Sequence, residues 1–304
     1  MTEIGLVGCG RWGRLILRDL LSLGAAVTVA ATGEHAQHAA LSGARAVVGR
    51  IEDLPAVDGL VIATPTSTHA DVIEALLPRG VPIFCEKPLC NDAARARQLA
   101  ERGRDRVFVM EKWRYHRGVE ALAFIARSQE LGPVIGLRTE RLGYGHAYTD
   151  TDCIWTLLPH EFSIASEILG ELPRPRSACA DVADRDVFGL IAMSAIDAGP
   201  WHVTEISARS PLRRRAITLL CRDGAAMLED AYADHVLIVA KPRLVGQDEA
   251  VRTTKRPIQV EMPLLEELAV FLAYLRGGPP PKAPVEQAAD AVEAVAAIRR
   301  LAGL

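Results

Sequence analysis

The first third of the chain alternates continuous apolar runs with stretches in which apolar residues recur at helical spacing. Continuous apolar runs are typical of strands that are buried on both faces of a sheet. The predicted strands are Ile4–Val7, Ala26–Ala31, Ala46–Val48, Gly59–Thr64, Val81–Cys85 and Arg106–Met110. Between them, helices are predicted from Ala70 to Leu77, where Thr68 and Asp71 are spaced as a capping box, and from Asp92 to Arg102. Strands that alternate with helices predict an α/β fold with a parallel, doubly wound sheet.

After residue 117 the pattern changes to short strands separated by turns such as Asp223-Gly224. These strands predict a mostly antiparallel sheet with one open face, in a second domain of the α+β class. They lie near Val134–Arg141, Val187–Ile196, Thr204–Ser210, Arg215–Cys221 and Ala225–Leu228. Helices are predicted at Val119–Ser128, Leu264–Leu275 and Val285–Leu301. We therefore predict domains at residues 1–117 and 118–304, with the last helices able to pack back on the first domain.

The first predicted strand runs directly into Gly8-x-Gly10-x-x-Gly13, and a helical apolar pattern follows at once. In this context the first glycine permits a tight turn and the second lets the backbone approach a pyrophosphate. The third lets the helix pack closely on the strand. Arg11 and Trp12 begin the helix, whose N-terminus offers N–H groups to phosphates. The pattern predicts a dinucleotide site at the carboxyl edge of the sheet, where Thr64–His69 and Glu86-Lys87-Pro88 are also expected.

The composition argues against several other classes of function. The 304 residues are 49% hydrophobic and carry a net charge of −3, so we expect neither nucleic acid nor a membrane as partner. No apolar run reaches the ~18 residues of a membrane span. With no secretory signal visible and six scattered cysteines, we expect a cytoplasmic protein. The basic run Arg213–Arg215 and the pair His35 and His38 are interpreted as solvated faces.

Five motifs occur in one order: the turn Gly-Cys-Gly-Arg-Trp-Gly, Ala63–His69, Glu86–Leu89, Arg114–His116, and Trp155 with His160. Together they resemble the glucose–fructose oxidoreductase/inositol dehydrogenase (Gfo/Idh/MocA) family, and Pro263 to Arg300 resembles that family's last two helices. The resemblance implies an N-terminal Rossmann domain and NAD(P)-dependent oxidation of a sugar or polyol hydroxyl, or the reverse reduction of a ketone. Within the family, the turn and the segment from Trp155 to Ser163 look most like the branch that acts on nucleotide-linked amino sugars and their uronates.

Lys87 is the candidate general acid/base, and also a substrate contact. Hydride transfer to nicotinamide needs a group that takes the hydroxyl proton. At a strand end, burial and a cationic nicotinamide favour the neutral, proton-accepting amine. Pro88 fixes the backbone directly after it. Besides the glycine turn and Lys87, the resemblance implies cofactor contacts from Thr64, Pro65, Thr66, His69 and Glu86.

The resemblance implies that His160, on the first part of a long helix, is a second acid/base or carbonyl-polarising group. A packed core histidine beside Leu157 and Phe162 is the alternative. The aspartate that the family usually carries four residues earlier is replaced by Thr156. Its hydroxyl can bind a substrate but cannot accept a proton at neutral pH. Whether Asp152 takes over that work is left open.

Further polar residues are candidates for substrate binding. The resemblance implies substrate and cofactor contacts from Arg114 and Tyr115, with an interdomain packing strip as the alternative. Arg138 and Arg141 are expected to share one strand face, which could bind a diphosphate or carboxylate but is more simply interpreted as a solvated face. A glycine-rich loop over the substrate is expected to carry Tyr144, His146 and Tyr148.

The end of the second strand bears on the choice of cofactor. NAD sites usually place an acid there, which accepts hydrogen bonds from the ribose hydroxyls. Here Thr32 occupies that position and Glu34 comes two residues later. A neutral residue removes repulsion against a 2′-phosphate, so NADP is favoured over NAD, although no arginine follows to bind the phosphate.

The sequence thus predicts a two-domain, NAD(P)-dependent oxidoreductase that acts on CH–OH groups of a sugar, polyol or nucleotide-linked sugar. Two alternatives stay open. Thr156 suggests an NAD(P)-binding sensor or accessory protein without turnover, and a related reductase would act on an imine or tetrapyrrole. An uncovered apolar sheet face in the second domain predicts a homodimer or homotetramer.

Overall fold

The computed structural model describes residues 1–144, 150–240 and 252–304. They form two compact units, Met1–Lys112 with Met262–Glu293, and Trp113–Glu261 with Ala294–Leu304. The strands are β1 Glu3–Val7, β2 Ala26–Ala30, β3 Ala46–Val48, β4 Gly59–Ile62, β5 Ile83–Glu86, β6 Val107–Met110, β7 Val134–Tyr144, β8 Arg174–Ala183, β9 Asp186–Ala195, β10 Trp201–Ser207, β11 Arg209–Cys221, β12 Gly224–Leu228, β13 His235–Ala240 and β14 Arg252–Pro257. The α-helices are α1 Arg11–Ser22, α2 Gly33–Leu41, α3 His69–Leu76, α4 Ala93–Gly103, α5 Arg117–Ser128, α6 Cys153–Leu169, α7 Pro263–Tyr274 and α8 Val285–Leu301.

The first unit is built on a six-stranded parallel sheet in the order β3-β2-β1-β4-β5-β6. Every residue of β2, β4 and β6 is buried, which explains why these strands are continuous apolar runs. The order reverses between β1 and β4, and in such sheets ligands bind at the carboxyl ends of the strands beside that reversal. The predicted doubly wound parallel sheet is confirmed.

The second unit is built on an eight-stranded sheet in the order β14-β13-β12-β11-β7-β10-β9-β8. The described pairs are antiparallel except β7 with β10, which is parallel, so the prediction of a mostly antiparallel sheet is confirmed. Helices α5 and α6 pack on one face of this sheet.

Three strands of the second sheet are absent from the predictions. Two of them, β8 and β14, are its edges, and polar residues interrupt the apolar alternation there, as is common where an edge strand must resist pairing with another chain. The third, β13, has the ordinary alternation of a strand with one buried face. It links β12 to the β14 edge.

The predicted capping box at the start of α3 is wrong. Thr68 ends a short 3₁₀ turn, Thr66–Thr68, and makes no side-chain capping bond to α3. Its hydroxyl lies 2.7 Å from the carbonyl oxygen of Pro65 and 2.9 Å from the hydroxyl oxygen of Thr64, and it donates to these groups instead. A hydroxyl directed back into the turn cannot also accept from the helix.

Arg138 and Arg141 do not share a strand face, contrary to the prediction. Side chains alternate along a strand, and an odd separation of three places these two on opposite faces. Arg138 is exposed, whereas Arg141 is 6% exposed and lies on the face covered by the helices.

Neither a membrane span nor a metal cluster is found in the described part of the chain. Among the described helices, none has the length and apolar character needed to cross a membrane. Within the same ranges, no group of three or more His, Cys, Asp or Glu side chains is arranged to hold a metal ion. His35 lies 3.8 Å from Glu34, and His38 contacts the hydroxyl of Ser42 at 3.2 Å.

Candidate active site

The turn after β1 contains two glycines at which the backbone of the protein excludes a side chain. Gly8 has a φ of +90°, and a Cβ there would lie 2.7 Å from the carbonyl oxygen of Ala63. At Gly13 a Cβ would lie 2.4 Å from the carbonyl oxygen of Gly8. Real Cβ atoms do not approach so closely, so α1 packs against the end of β1 only with glycine at both positions.

Gly10, the middle glycine, is not explained by packing. It is the N-cap of α1 with a φ of −71°, which any residue adopts, and a Cβ there would meet no described atom within 4 Å. Close approach of a ligand's pyrophosphate explains this glycine, because a side chain would occupy that space. The first turn of α1 holds no acidic residue, and its N–H groups lack intrahelical partners. The turn therefore fits a dinucleotide.

Three polar segments follow β1, β4 and β5 at one edge of the parallel sheet. Val7 pairs with Ile62, and Ile62 pairs with Cys85, so the three strands end level with one another. The glycine turn, the segment Thr64–His69 and Glu86-Lys87 therefore emerge side by side, as the sequence predicted for one site. Thr64 and Thr66 are partly exposed and Pro65 is exposed.

His69 is a buried link between two of these segments. Its Nδ1 lies 2.8 Å from the carbonyl oxygen of Pro88, and its Nε2 lies 3.0 Å from that of Thr64. Burial lowers the pKa of His69, although the two carbonyl contacts oppose that shift. The ring is 1% exposed and holds together the loops that carry Thr64 and Lys87, so its contribution to a cofactor site is through those loops.

Lys87 is half-buried directly after β5. Its backbone N–H donates to Oε2 of Glu86 at 3.1 Å, and its peptide bond to Pro88 is cis. In the same unit, Nζ of Lys112 lies 4.3 Å from the centre of the Trp12 ring, which is 41% exposed at the start of α1. A cation–π contact of this kind holds Trp12 beside the glycine turn.

Sequence reasoning missed Glu267, a buried carboxyl group on α7. This helix runs antiparallel to the strands, because Leu275 lies against Gly59 at the start of β4 and Phe271 stacks on Phe84 within β5 at 4.9 Å. Glu267 lies one turn before Phe271 and is therefore at the level of the strands' carboxyl ends. It is 1% exposed, and its Oε2 has no hydrogen-bond partner among the described residues. No local sequence pattern predicts its burial, since the residues around it in space are brought there by the packing of α7.

The charge state of Glu267 follows from its surroundings. Burial and then the nearby carboxylate of Glu86 raise the pKa of Glu267 well above its ordinary value. Lys112 opposes the shift and Glu111 adds to it. Glu267 therefore keeps its proton at pH values where an exposed glutamate is ionised.

In the second unit, Asp152 is fully engaged in holding the start of α6. Its Oδ1 accepts the backbone N–H groups of Ile154 at 3.0 Å and Trp155 at 3.1 Å, as the helix N-cap. Its Oδ2 forms an ion pair with Arg299 of α8. The carboxylate is thus committed to a cap and a salt bridge, which argues against its taking over the work of the missing family aspartate.

Thr156, His160 and Glu167 lie on one face of α6, since they are four and seven residues apart. The Thr156 hydroxyl donates to the carbonyl oxygen of Asp152 at 3.1 Å and lies 3.4 Å from the hydroxyl oxygen of Thr151. His160 is half-buried one turn later. Arg114 pairs with Glu167 at 3.0 Å, each side chain being 12% exposed. The structure brings Arg114, Thr156 and His160 to this helix face.

The other candidates in the second unit are one buried tyrosine, one exposed tyrosine and two residues outside the described ranges. Tyr115 is 7% exposed, in the 3₁₀ helix Lys112–Tyr115, and contributes chiefly to packing. Tyr144 is 75% exposed at the end of β7. His146 and Tyr148 lie outside the described residues.

Residues 2–110 match the profile of the GFO_IDH_MocA family, an oxidoreductase family with an NAD-binding Rossmann fold. This domain belongs to the Gfo/Idh/MocA family. The family assignment agrees with the fit of the glycine turn to a dinucleotide, and it confirms the resemblance inferred from the motifs.

Relatives of known name match parts of the chain. The rhizopine catabolism protein MocA of Rhizobium meliloti is 33% identical over 120 residues, which is 38% of this chain and 35% of that protein. An inositol 2-dehydrogenase of Rhizobium meliloti (strain 1021) is 28% identical over 239 residues, 71% of this chain and 67% of that protein. An inositol 2-dehydrogenase of Streptomyces avermitilis is 28% identical, over 56% of this chain and 54% of its own length. The matched segments thus span from 35% to 67% of these relatives.

Solved structures match over the whole fold. The UDP-N-acetylglucosamine 3-dehydrogenase GnnA from Acidithiobacillus ferrooxidans superposes with a TM-score of 0.84 at 22% identity, covering 99% of this chain and 97% of that one. A levoglucosan dehydrogenase in complex with NADH and levoglucosan gives a TM-score of 0.86 at 15% identity, over 99% and 97%. At identities this low, the structural matches establish the fold alone.

The contrast between Gly10 and Gly13 predicts different defects when each becomes alanine. A Cβ in Gly10→Ala meets no described atom within 4 Å, so the unfolding free energy should fall by no more than about 1 kcal/mol, while Kd for NADH and NADPH rises at least about tenfold. Gly13→Ala forces α1 away from β1 and should lower Tm strongly. Differential scanning fluorimetry and titration calorimetry separate the two effects. A Gly10→Ala variant that binds cofactor like the wild type would contradict the assignment of this glycine to ligand approach.

The raised pKa of Glu267 predicts that Glu267→Gln is more stable than the wild type at neutral and alkaline pH. A carboxyl whose folded pKa is raised contributes stability that is complete below its unfolded pKa of about 4.3. That stability is lost as pH rises through the folded pKa. Glutamine keeps the size without the charge, so its Tm should not show this loss.

Melting curves from about pH 5 to about pH 9 test this linkage. The wild type should lose Tm relative to Glu267→Gln as the pH rises. Glu266→Gln is the matched control, since the neighbouring Glu266 is partly exposed, and it should follow the wild type. Parallel curves for the wild type and Glu267→Gln would show that the buried carboxyl does not titrate as described.

Proposed function

We propose that the chain is an NAD(P)-dependent dehydrogenase or reductase that acts on a CH–OH carbon of a sugar, polyol or nucleotide-linked sugar. The observation that carries the proposal is the carboxyl edge of the parallel sheet, where a glycine turn suited to a pyrophosphate lies beside Lys87. The domain belongs to an NAD-binding oxidoreductase family, which supports the same chemistry.

The proposed mechanism uses Lys87 as the general acid/base. The bound nicotinamide supplies a carbon that accepts or gives the hydride. In the oxidative direction the amine of Lys87 takes the proton of the substrate hydroxyl, and in the reductive direction its ammonium returns it. Half-burial beside Pro88 and the link between His69 and the Pro88 carbonyl hold this lysine at the end of β5.

We assign His160 as a second acid/base or carbonyl-polarising group and Thr156 as a contact to a substrate hydroxyl. The Thr156 hydroxyl donates to the carbonyl oxygen of Asp152 and lies 3.4 Å from the hydroxyl oxygen of Thr151, on the same face of α6 as His160. Asp152 is committed to its cap and to Arg299, so Lys87 and His160 share the proton transfers in this proposal.

The names of the matched proteins support the substrate class. The curated relatives include inositol 2-dehydrogenases, and the structural neighbours include dehydrogenases of UDP-N-acetylglucosamine and levoglucosan. All of these act on hydroxyl-rich rings. The sensor alternative is favoured by one observation, the replacement of the family aspartate by Thr156 with no free carboxylate at Asp152 to compensate.

We propose NADP as the preferred nicotinamide cofactor, with NAD as the alternative. Thr32 is exposed at the carboxyl end of β2, next to β1 in the sheet, and its side chain makes no capping hydrogen bond to α2. No carboxylate stands at Thr32 itself to repel a 2′-phosphate, and Glu34 is exposed in the first turn of α2.

We also propose that a second copy of this chain covers the open face of the eight-stranded sheet. Ile191 is 53% exposed and Met193 is 41% exposed on β9, and Val203 pairs with Met193 on the same face. Charges of both signs, among them those of Arg138 and Glu205, lie on this face, so a second copy of the same surface can complement it.

Replacing Lys87 by Met should lower turnover about 100-fold or more with little change in cofactor affinity, because the amine acts on the proton rather than on the dinucleotide. Absorbance at 340 nm with inositol, sugar and UDP-sugar panels measures turnover, and calorimetry measures affinity. Lys255→Met, on the exposed part of β14, is the control and should behave as the wild type. Near-normal turnover of Lys87→Met would refute its role.

The cofactor proposal predicts that NADPH binds more tightly than NADH in titration calorimetry. Thr32→Asp should reverse the order, weakening NADPH at least about tenfold by repulsion against the 2′-phosphate. Glu34→Gln serves as control and should keep the wild-type order. Tighter binding of NADH to the unmodified protein would overturn the preference for NADP.

The proposed dimer predicts that Met193→Asp halves the mass measured by light scattering, since a charge in an apolar interface is costly. Phe124→Asp is the matched control, because Phe124 is a similarly exposed apolar residue on α5, which packs on the opposite face of the sheet. A wild-type protein that is monomeric at all concentrations would exclude this contact.

A further inference from the structure

The basic run Arg213–Arg215 is divided by the structure between two faces of β11. Arg214 lies on the open face and pairs with Glu140 at 2.9 Å. Arg215 is on the opposite face, because side chains alternate, and it stands in register with Arg141 of β7. The residues that continue this face on the two strands, Ile217 and Thr139, are buried. Arg214 and Arg215 are therefore directed to opposite faces of the sheet, and Arg215 is on the face toward the helices.

Arg141 and Arg215, which are cross-strand neighbours, differ in how their charges are balanced. Arg141 forms a buried ion pair with Glu161 of α6, and its guanidinium lies 4.7 Å from the centre of the Trp113 ring. Arg215 is half-buried and forms no ion pair or hydrogen bond of its side chain within residues 1–144, 150–240 and 252–304. The second cation of this pair is thus left without an acidic partner in direct contact.

The loop after β12 contributes a carboxylate whose charge acts on Arg215, but that group accepts a backbone hydrogen bond. Asp230 accepts the backbone N–H of Tyr232 at 3.0 Å and does not come within salt-bridge distance of Arg215 in the described structure. Burial, and then the positive charges of Arg141 and Arg213, lowers the pKa of Arg215, while Tyr232 and Asp230 oppose the shift. Placing like charges side by side on a half-buried face is destabilising unless an anion joins them.

We propose that Arg215, supported by Arg141, binds an anionic group of the substrate, so that the substrate is an acidic sugar or polyol derivative bearing a carboxylate or a phosphate. This inference rests on the proposed function and narrows its substrate class. A guanidinium offers a planar fork of donors that matches both anions with two parallel hydrogen bonds. Tyr232, which is 71% exposed nearby, offers an aromatic face to a sugar ring.

The position of this pair relative to α6 favours substrate binding over a general surface role. Glu161, the partner of Arg141, is the residue directly after His160 on α6. A ligand anion at Arg215 would therefore lie on the side of the sheet that faces the helix carrying His160 and Thr156. Arg214, one residue away, faces the opposite side and is neutralised by Glu140, so it provides a matched control.

The test is binding of three sugars to the full chain in the presence of saturating NADPH, measured by titration calorimetry at constant ionic strength. The probes are D-glucose, D-glucuronate and D-glucose 6-phosphate, which share a ring and differ in charge. NADPH is already reduced and cannot accept a hydride from the ring CH–OH carbons of these probes, so the titration measures binding without oxidation of the sugar. We expect one of the two anionic probes to bind at least about tenfold more tightly than glucose, and its identity distinguishes carboxylate from phosphate.

The variants then assign that preference to a residue. Arg215→Gln should raise Kd for the anionic probe at least about tenfold and leave Kd for glucose unchanged. Arg214→Gln should leave Kd unchanged for all three probes. The Tm of Arg215→Gln should equal or exceed that of the wild type, since a like charge is removed, so a folding defect is distinguishable from lost binding.

Three outcomes would overturn the inference. They are a wild type that binds neither anionic probe more tightly than glucose, an Arg215→Gln variant with unchanged affinities, and an equal loss in Arg214→Gln. The cofactor titration and the Lys87→Met assay stand apart from these measurements. The proposed dehydrogenase can therefore survive the failure of this anion site, and its own failure would show as absent cofactor binding or absent turnover.

Discussion

In the first unit, the approach of α1 to the end of β1 depends on the absence of side chains at Gly8 and Gly13. This approach fixes the N-terminus of α1 at the carboxyl edge of the sheet, where Gly10 leaves space for a ligand. The neighbouring strands extend the same edge, since β1, β4 and β5 end level with one another. The steric requirement at these two glycines places the start of α1, and strand register places the segments after β4 and β5 beside it.

In the second unit the equivalent constraint is the position of α6 on the sheet. Asp152 and Arg299 hold the start of the helix, and the buried pair of Glu161 with Arg141 holds it about two and a half turns further along. Breaking a buried ion pair is strongly destabilising, because removal of one partner leaves the other charge buried and unsolvated. These contacts make α6 a rigid support for Thr156 and His160, which is what hydrogen bonding and proton transfer require.

What the sequence predicted well is what short-range patterns determine. The glycine turn, the apolar strands and the motif at Lys87 are local, and the structure builds the sheet and the shared edge from them. Glu267 and Arg299 were not predicted because the groups that act on them are far away in sequence. The carboxylate of Glu86 acts on Glu267, and Asp152 pairs with Arg299, only through the packing of the last helices. The error at Arg138 and Arg141 had a different origin, since simple alternation along a strand already separates residues three apart.

The distribution of charge around α6 argues for the kind of substrate the second unit can accept. Every acidic residue described on this helix or at its cap is paired with an arginine: Asp152 with Arg299, Glu161 with Arg141, and Glu167 with Arg114. Thr156 occupies the position where the family usually has a further acid, so this helix face lacks that negative charge. Arg215 adds a cation that the described residues do not neutralise. A helix face with balanced charges beside an unbalanced guanidinium has a net positive potential, which attracts an anionic substrate and is least suited to a cationic one.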